Sequence, residues 1–187
     1  MSDAPSIAGI EAAAARLAGV AVRTPLIESP ALDDLAGGRV LLKAEILQRT
    51  GSFKFRGAYN FLSQIDPDKR AHGVVAYSSG NHAQGVAAAA RMFNIPATIV
   101  MPADAPRAKV DNTRGHGATV VAYDRQSESR EEIAAGITDA AGATLVPPFD
   151  HVWTVEGQGT VGLEIAAQCD EAGANPDSIL VCCGGGG

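Results

Sequence analysis

The sequence predicts an α/β fold in which helices flank a parallel β-sheet. Between residues 73 and 147, short apolar segments rich in valine and alanine alternate regularly with amphipathic segments of helical length. Hydrophobic residues make up 46% of the 187 residues, which is enough to build buried cores on both faces of a sheet. Regular alternation of strands and helices is typical of parallel sheets that are covered on both faces. We therefore expect residues 73–147 to form a compact α/β unit.

The residues before this unit are expected to form three helices and one strand. Apolar residues at helical spacing predict a helix over 6–17. A proline in the first turn and two following glycines predict a short helix over 29–37. The apolar run 39–45 predicts a strand. Ser52 is a suitable N-cap for a third helix, which is expected to end at the Asp66-Pro67 pair.

The same periodicities predict the remaining elements and the domain organisation. The predicted strands are 74–77, 97–101, 118–122, 144–146 and 178–183. The predicted helices are 81–93, 105–114, 129–141 and 155–172. We assign residues 1–72 to the first part of a large domain, residues 73–147 to a small domain inserted in it, and residues 148–187 to the start of the second part of the large domain.

The composition excludes several classes of function. The formal net charge is -6 and no basic run is present, so nucleic acid is not an expected partner. No apolar run is long enough to span a bilayer and the N-terminus has no signal-peptide features, which predicts a soluble cytoplasmic protein without a membrane partner. The cysteines lack metal-binding spacing, and we interpret all three as small buried hydrophobic residues: Cys169, Cys182 and Cys183. No cluster of histidines and cysteines predicts a metal site.

Lys54 is the first candidate for a catalytic residue. It lies in the first turn of the third predicted helix, where the helix dipole creates a positive potential that favours the neutral amine. A neutral amine is nucleophilic and can form a Schiff base with an aldehyde cofactor. Phe53 and Phe55 flank the lysine, and the small residues Gly57 and Ala58 are expected to leave room beside it for a flat ring.

Two further motifs are typical of anion-binding loops. The stretch 77–85 contains two serines, a glycine and an asparagine where a predicted strand ends and a helix begins. Backbone N–H groups are unpaired at such a position and favour an anion. Four glycines at 184–187 follow the last predicted strand, and successive glycines let N–H groups converge on a phosphate. An ordinary helix cap and a flexible linker are the alternative roles of these two motifs.

Together the three motifs resemble those of the fold type II pyridoxal-phosphate enzymes, in the threonine/serine dehydratase and serine racemase branch. The resemblance runs from about Val22 to the last residue. It implies a two-domain α/β architecture of parallel-type sheets flanked by helices, and it implies the cofactor pyridoxal 5'-phosphate. It also implies that the large domain is truncated here, so that about half of a family-length chain lies beyond Gly187.

The resemblance implies how this chain would hold the cofactor. Lys54 would form the Schiff base, and Phe53 would lie against the pyridine ring. Asn81 would hydrogen-bond the phenolic oxygen of the cofactor. The backbone of the terminal glycines would bind part of the phosphate: Gly184, Gly185, Gly186 and Gly187.

The resemblance also implies the residues that meet the substrate. The loop after a strand would hold the substrate carboxylate through Ser78, Asn81 and His82. Ser79 would lie on the face of the cofactor opposite Lys54, where it would bind substrate and donate or accept a proton. Arg130 would approach the substrate carboxylate when the small domain closes.

The implied activity is the β-elimination of L-serine or L-threonine to a 2-oxo acid and ammonia. Racemisation of serine is an alternative, because both reactions begin with removal of the α-proton in the same site. The resemblance further implies a homodimer that needs the remainder of the polypeptide to complete its site. Any divalent-cation site would lie beyond this chain.

Three other interpretations differ in the residues they need. Cysteine synthase-like replacement chemistry is disfavoured because that branch usually carries an acidic residue where this chain has Phe55. A nicotinamide-dependent oxidoreductase would use the G-x-G-x-x-G stretch 157–162 together with Asp177, although no buried strand precedes that stretch. We interpret its glycines instead as close packing at the start of a helix. A small-molecule-sensing domain could use the loop 78–82 for an anion without needing Lys54.

Overall fold

The computed structural model describes residues 4–182 as an α/β protein. Its helices are α1 (Ile7–Leu17), α2 (Pro30–Ala36), α3 (Lys54–Ser63), α4 (Pro67–Arg70), α5 (Asn81–Phe93), α6 (Arg107–Gly115), α7 (Arg130–Ala141) and α8 (Val152–Glu171). Its strands are β1 (Leu26–Glu28), β2 (Leu41–Lys43), β3 (Val74–Tyr77), β4 (Ala97–Pro102), β5 (Thr119–Tyr123) and β6 (Thr144–Leu145). The glycine motif Gly184–Gly187 and Cys183 lie outside the described residues.

The main sheet is parallel throughout and has the strand order β5-β4-β3-β6. In its register Val74 of β3 lies opposite Ala97 of β4, and Thr98 of β4 lies opposite Thr119 of β5. Each strand leads to the next through a helix, as the alternation of apolar and amphipathic segments predicts. The α/β fold class is therefore confirmed.

Alternate residues of β3 and β4 pack into two separate hydrophobic cores. On one face Val74 and Ile99 pack with α5 and α3, and on the other Val75 and Val100 pack with Ala134 of α7. Helices therefore cover both faces of the sheet. Because β3 ends between α5 and α7, the loop that follows it lies at the carboxyl edge of the sheet beside both helices.

Helix α3 packs tightly against α8 through glycines. A Cβ atom on Gly157 would lie 2.7 Å from the Cα of Gly57 and 2.8 Å from the carbonyl oxygen of Arg56. Gly57 and Ala58 are therefore used for helix packing, and Ala58 is fully buried. The expectation that these two small residues leave room for a flat ring is wrong, since α8 occupies the space beside Gly57 and Ala58 is buried in the hydrophobic core.

The G-x-G-x-x-G stretch does not form a dinucleotide-binding loop. Its three glycines lie inside α8, which begins at Val152, so no strand-to-helix turn presents their N–H groups. Gly157 and Gly159 instead allow close contact, with Gly57 and with Ile10 respectively. The interpretation of these glycines as packing residues is confirmed, and the dinucleotide alternative is excluded.

A cluster of buried charges joins α3 to α8 and to β2. Arg56 is 1% exposed, and its guanidinium pairs with Glu45 at 2.8 Å and with Glu164 at 2.7 Å. Lys43 pairs with the same Glu164 at 2.6 Å and also hydrogen-bonds Gln168 of α8. Charges this deeply buried are tolerated when each is paired, so the cluster fixes the helix that begins at Lys54.

The predicted strands differ from the structure at two places, where strand formation depends on a partner strand. The three-residue strand β1 was missed, and it pairs antiparallel with β2, with Leu26 opposite Lys43. The strand predicted at 178–183 is wrong for its described part, since residues 178–182 pair with no strand in residues 4–182 and Leu180 is 97% exposed.

Cys169 is buried as expected but Cys182 is exposed, so the prediction of a buried thiol is wrong there.

The predicted domain boundaries at residues 72 and 147 stay predictions. One hydrophobic core contains Phe55 and Leu62 from before the first boundary and Val86 from after it. No described helix is long and apolar enough to cross a membrane.

Candidate active site

Lys54 is the first residue of α3, where sequence analysis places it. Its Nζ donates a hydrogen bond of 2.7 Å to the carbonyl oxygen of Pro148 and lies 5.3 Å from the centroid of the Phe53 ring. Burial lowers the pKa of the Lys54 amine below its ordinary value of 10.5. The structure thus supports an amine that loses its proton more easily than a solvated lysine does.

The turn before Lys54 differs from the expected cap. Helix α3 starts after Phe53, and the Ser52 hydroxyl caps nothing, since its Oγ is buried without a partner among the described residues. Thr50 has a φ of 60°, which is unfavourable for a β-branched residue, and its Oγ1 is also buried and unpartnered. Thr50 was not predicted as a site residue, and its only sequence signal is its place before Gly51 in the turn.

The loop after β3 is built for polar contacts. The Ser78 N–H donates to the Val100 carbonyl oxygen at 3.1 Å, which continues the sheet by one bond, and the Ser78 Oγ accepts from the Gly80 N–H at 3.1 Å. Ser79 is partly buried, and Asn81 is exposed as the first residue of α5. The first N–H groups of α5 have no partner within the helix, so this end of the sheet favours an anion.

His82 lies in the interior beneath this loop. Its ring is 3% exposed, and Nε2 hydrogen-bonds the carbonyl oxygen of Val146 at 3.0 Å. Burial lowers the pKa of His82 to about 4, so the ring is neutral at pH 7. A contribution of His82 to carboxylate binding would therefore come through its backbone N–H, and this role stays a prediction.

Two contacts bring the lysine motif and the loop motif together. Gly85 of α5 packs on the start of α3, where a Cβ atom would lie 3.2 Å from the carbonyl carbon and oxygen of Lys54. The segment 146–148 accepts hydrogen bonds from both motifs, at Val146 from His82 and at Pro148 from Lys54. The contact of Gly85 with Lys54 was not predicted, although Gly85 lies within the second motif.

Arg130 lies near the carboxyl end of the same strand. Its guanidinium is 5.3 Å from the centroid of the Tyr77 ring, and Tyr77 directly precedes Ser78. The Arg130 Nε also donates to Glu131 at 2.7 Å, and about half of the side chain is exposed. The structure places Arg130 beside the loop but does not test its predicted contact with substrate.

The residues around Lys54 fit an aromatic aldehyde that carries an anionic group. The amine has a lowered pKa, and Phe53 presents a ring that is 36% exposed beside it. Two buried hydroxyls, on Thr50 and Ser52, have no partner among the described residues. Residues 4–182 contain no group of three or more histidine, cysteine or acidic side chains that could hold a metal ion.

This arrangement defines a class of protein. A parallel α/β sheet with a partly buried lysine amine, and with the unpaired N–H groups of a helix start at its carboxyl edge, fits an enzyme that binds an aldehyde cofactor through lysine. The model of one family, described as "Pyridoxal-phosphate dependent enzyme", matches residues 17–187 of this chain. The chain belongs to this family.

Individual relatives agree with that assignment. The chain is 54% identical over 175 residues to L-threo-3-hydroxyaspartate ammonia-lyase of Pseudomonas sp, which covers 94% of this chain and 54% of the relative. Maize serine racemase superposes with a TM-score of 0.86 at 40% identity, covering 90% of this chain and 51% of that structure. Serine racemase of Dictyostelium discoideum superposes with a TM-score of 0.82 at 34% identity, covering 88% and 53%. The chain thus spans about half the length of these relatives.

Proposed function

We propose that this chain is part of an enzyme that eliminates water and ammonia from a small hydroxy amino acid such as L-serine or L-threonine, with pyridoxal phosphate as cofactor. The observation that carries the proposal is the Lys54 amine, whose pKa is lowered by burial and whose helix is packed against the helix of the Ser78–Asn81 loop. The named activities of the relatives, an ammonia-lyase and two racemases of amino acids, support it.

The residues that would hold the cofactor are those expected from the resemblance. Lys54 would join the cofactor covalently, Phe53 would lie against the ring, and Asn81 would hydrogen-bond its phenolic oxygen. Gly184–Gly187 would hold part of the phosphate. When bound, pyridoxal phosphate supplies an aldehyde for the amine and a ring that takes up the negative charge left at the α-carbon.

The chain's own residues then carry the proton transfers. The loop would hold the substrate carboxylate through Ser78, Asn81 and the N–H groups at the start of α5, which would fix the orientation of the α-carbon. Once the substrate amine has taken the place of Lys54 on the cofactor, the freed neutral Lys54 Nζ would take the α-proton. The Cβ–O bond breaks, the departing hydroxyl takes up one proton and leaves as water, and hydrolysis of the remaining enamine gives the 2-oxo acid and ammonia.

Racemisation of serine is the second candidate function. Ser79 stands in the loop at the carboxyl end of β3, and its hydroxyl would return a proton to the face opposite Lys54. A serine hydroxyl is a poor acid on its own, so this route needs a further group that lowers its pKa. The 40% identity to maize serine racemase supports racemisation as the second candidate function.

The position of Arg130 supports a dicarboxylic hydroxy amino acid as a further candidate substrate. Its guanidinium lies beside the residue that precedes Ser78, where it could meet a carboxylate of a dicarboxylic hydroxy amino acid. The relative that is 54% identical is named for L-threo-3-hydroxyaspartate. We therefore include 3-hydroxyaspartate among the substrates to be tested.

We further propose the domain arrangement and assembly that the resemblance implies. Helix α8 packs on α1 and α3, which supports joining residues 1–72 and 148–187 in one large domain, with the parallel sheet of residues 73–147 as the small domain. The intact enzyme would be a homodimer, and the part of the relatives beyond the matched half would complete the cofactor site.

The covalent role of Lys54 is tested by spectroscopy of the intact polypeptide. We expect a visible absorption band with pyridoxal phosphate that borohydride abolishes, leaving the cofactor attached at Lys54 in peptide mass spectra. Lys54→Ala should remove both signals, whereas Lys69→Ala, at an exposed lysine of α4, should retain them. A protein that shows no Lys54-dependent band would contradict the proposal.

Product analysis separates the candidate reactions. Incubation with L-serine, L-threonine and L-threo-3-hydroxyaspartate should give 2-oxo acid and ammonia from at least one of them. Chiral analysis of recovered serine detects the racemase reaction, and Ser79→Ala should suppress it more than it suppresses elimination. D-serine without any 2-oxo acid would favour the racemase over the elimination.

A further inference from the structure

We propose that Lys109 is a further substrate-binding residue of this site, whose ammonium binds the carboxylate held at the Ser78–Asn81 loop. This inference rests on the proposed function, because it assigns the anion at the loop to an amino-acid substrate. Neither the three motifs nor the resemblance pointed to this lysine.

The first observation is the position of the ammonium. Lys109 lies in the first turn of α6, and its Nζ is 3.6 Å from the place that a Cβ atom on Gly80 would occupy. Because Gly80 has no side chain, the ammonium can approach the backbone of the loop directly. Gly80 immediately precedes α5, so the positive charge stands where the first N–H groups of α5 converge.

The second observation is that the Lys109 ammonium has no counter-ion. Its side chain is partly buried, yet Nζ forms no hydrogen bond or ion pair with any residue between 4 and 182. The acidic residue on the same helix, Asp111, pairs with Arg107 at 3.6 Å. A partly buried cation without an anion, beside helix N–H groups that also lack one, is complementary to a carboxylate.

The third observation is that a hydrogen bond and hydrophobic packing hold α6 against α5. Asn112 of α6 donates to the Oε1 of Gln84 of α5 at 3.3 Å, and Gln84 is buried. Val110 of the same helix packs against the core that contains α5. The two helices therefore carry Lys109 and the loop as one unit, and the approach of the ammonium to Gly80 follows from the packing of the helices.

The role of Lys109 follows from charge. The N–H groups of the loop would orient the carboxylate, and the ammonium would supply the positive charge that neutral N–H groups lack. A hydrogen bond between charged groups contributes about 1.5–3 kcal/mol. That corresponds to a change of roughly 10-fold to 100-fold in binding.

The experiment compares Lys109→Met with Lys109→Arg in the intact protein loaded with pyridoxal phosphate. For Lys109→Met we expect the KM for L-serine and for L-threonine to rise roughly 10-fold to 100-fold, with a much smaller change in kcat. Inhibition by acetate, a carboxylate without the amino group, should weaken by a similar factor. Lys109→Arg keeps the charge and should restore most of the affinity, and Lys69→Met is the control at an exposed lysine.

Four results would overturn the inference. The KM values and acetate inhibition could be unchanged in Lys109→Met, or kcat could fall without a change in KM. The Lys54-dependent absorption band could disappear, which would show a structural role for Lys109. A loss confined to dicarboxylic substrates would also overturn it, because Lys109 would then bind a second carboxylate.

A separate measurement distinguishes failure of this inference from failure of the proposed function. If the unmutated protein shows no Lys54-dependent band, the proposed function fails. Acetate binding to the cofactor-free protein, measured by NMR, then tests the anion-binding role of Lys109 independently of the proposed function. Weaker binding in Lys109→Met than in Lys69→Met supports the anion-binding role, and equal binding contradicts it.

Discussion

Gly85 lies directly against the backbone of Lys54, so that α5, the helix that follows the Ser78–Gly80 loop, rests on the first turn of α3. A Cβ atom at Gly85 would lie 3.2 Å from the Lys54 carbonyl oxygen and 3.3 Å from the Phe55 Cα. These distances are shorter than ordinary van der Waals contact, and the neighbouring atoms belong to backbone that cannot rotate away. The lysine and the loop are therefore held in register by the absence of one side chain.

We predict that Gly85→Ala displaces Lys54 from the loop. Alanine favours a helix by about 0.5–1 kcal/mol over glycine, but crowding in a packed core costs about 1–3 kcal/mol, so crowding prevails. We expect a lower free energy of unfolding in urea and a kcat reduced by about 10-fold or more.

Gly136→Ala in α7 is the matched control, because a Cβ atom there would meet nothing within 4 Å. It should be neutral or slightly stabilising and leave kcat unchanged. Equal stability and activity of the Gly85 and Gly136 variants would contradict the proposed contact.

The two outer glycines of the G-x-G-x-x-G stretch should respond oppositely to alanine. At Gly157 a Cβ atom would lie 2.7 Å from the Cα of Gly57, whereas at Gly162 it would meet nothing within 4 Å. Gly157→Ala should lower the free energy of unfolding by about 1–3 kcal/mol or more, and Gly162→Ala should raise it by about 0.5–1 kcal/mol. Urea unfolding of both variants checks this, and equal sensitivity would mean that α8 does not pack on α3 as described.

Elements with strong local signals were predicted well from the sequence. The bounds of β3 (Val74–Tyr77) and α5 (Asn81–Phe93) agree with the prediction, because an apolar strand followed by loop residues marks both ends. Ser129 also caps α7 as its spacing to Glu132 indicates, with a bond of 3.2 Å from the Glu132 N–H. In these segments the residues that decide the structure are neighbours in sequence.

The features that were missed depend on contacts between distant parts of the chain. Gly57 was expected to leave room for a ring, yet its neighbour Gly157 lies one hundred positions later. The inward orientation of the His82 ring, which hydrogen-bonds the Val146 carbonyl oxygen after β6, was also not predicted, whereas its role in carboxylate binding stays a prediction. The residue types of Gly57 and His82 indicated that both positions have particular roles. Which neighbours they contact depends on the packing of helices and strands.

Arg56 should be among the most sensitive residues of the fold. It is 1% exposed and pairs with Glu45 and Glu164, so Arg56→Met would leave two carboxylates next to a buried apolar side chain. Breaking a buried pair costs about 3–5 kcal/mol. Urea unfolding measures the loss.

The matched control for Arg56 is the exposed ion pair of α6. Arg107 lies 3.6 Å from Asp111 and its side chain is 95% exposed, so Arg107→Met should change the free energy of unfolding by less than about 1 kcal/mol. A similar small effect at Arg56 would show that water reaches the buried cluster.

The stability of the fold should depend on pH through His82. Burial lowers the pKa of its ring to about 4, below the ordinary value of 6.5, so the folded protein holds the ring neutral while the unfolded chain binds a proton below pH 6.5. The unfolded state therefore gains protons first as the pH falls, and stability decreases between pH 6.5 and 4 by roughly 3 kcal/mol, at 1.36 kcal/mol per pKa unit. NMR should show the His82 ring signals unchanged from pH 8 to 5, and urea unfolding should show a smaller pH dependence for His82→Gln. A ring that titrates near 6.5 in the folded protein would mean that solvent reaches it, and its bond to Val146 would then not hold the loop in place.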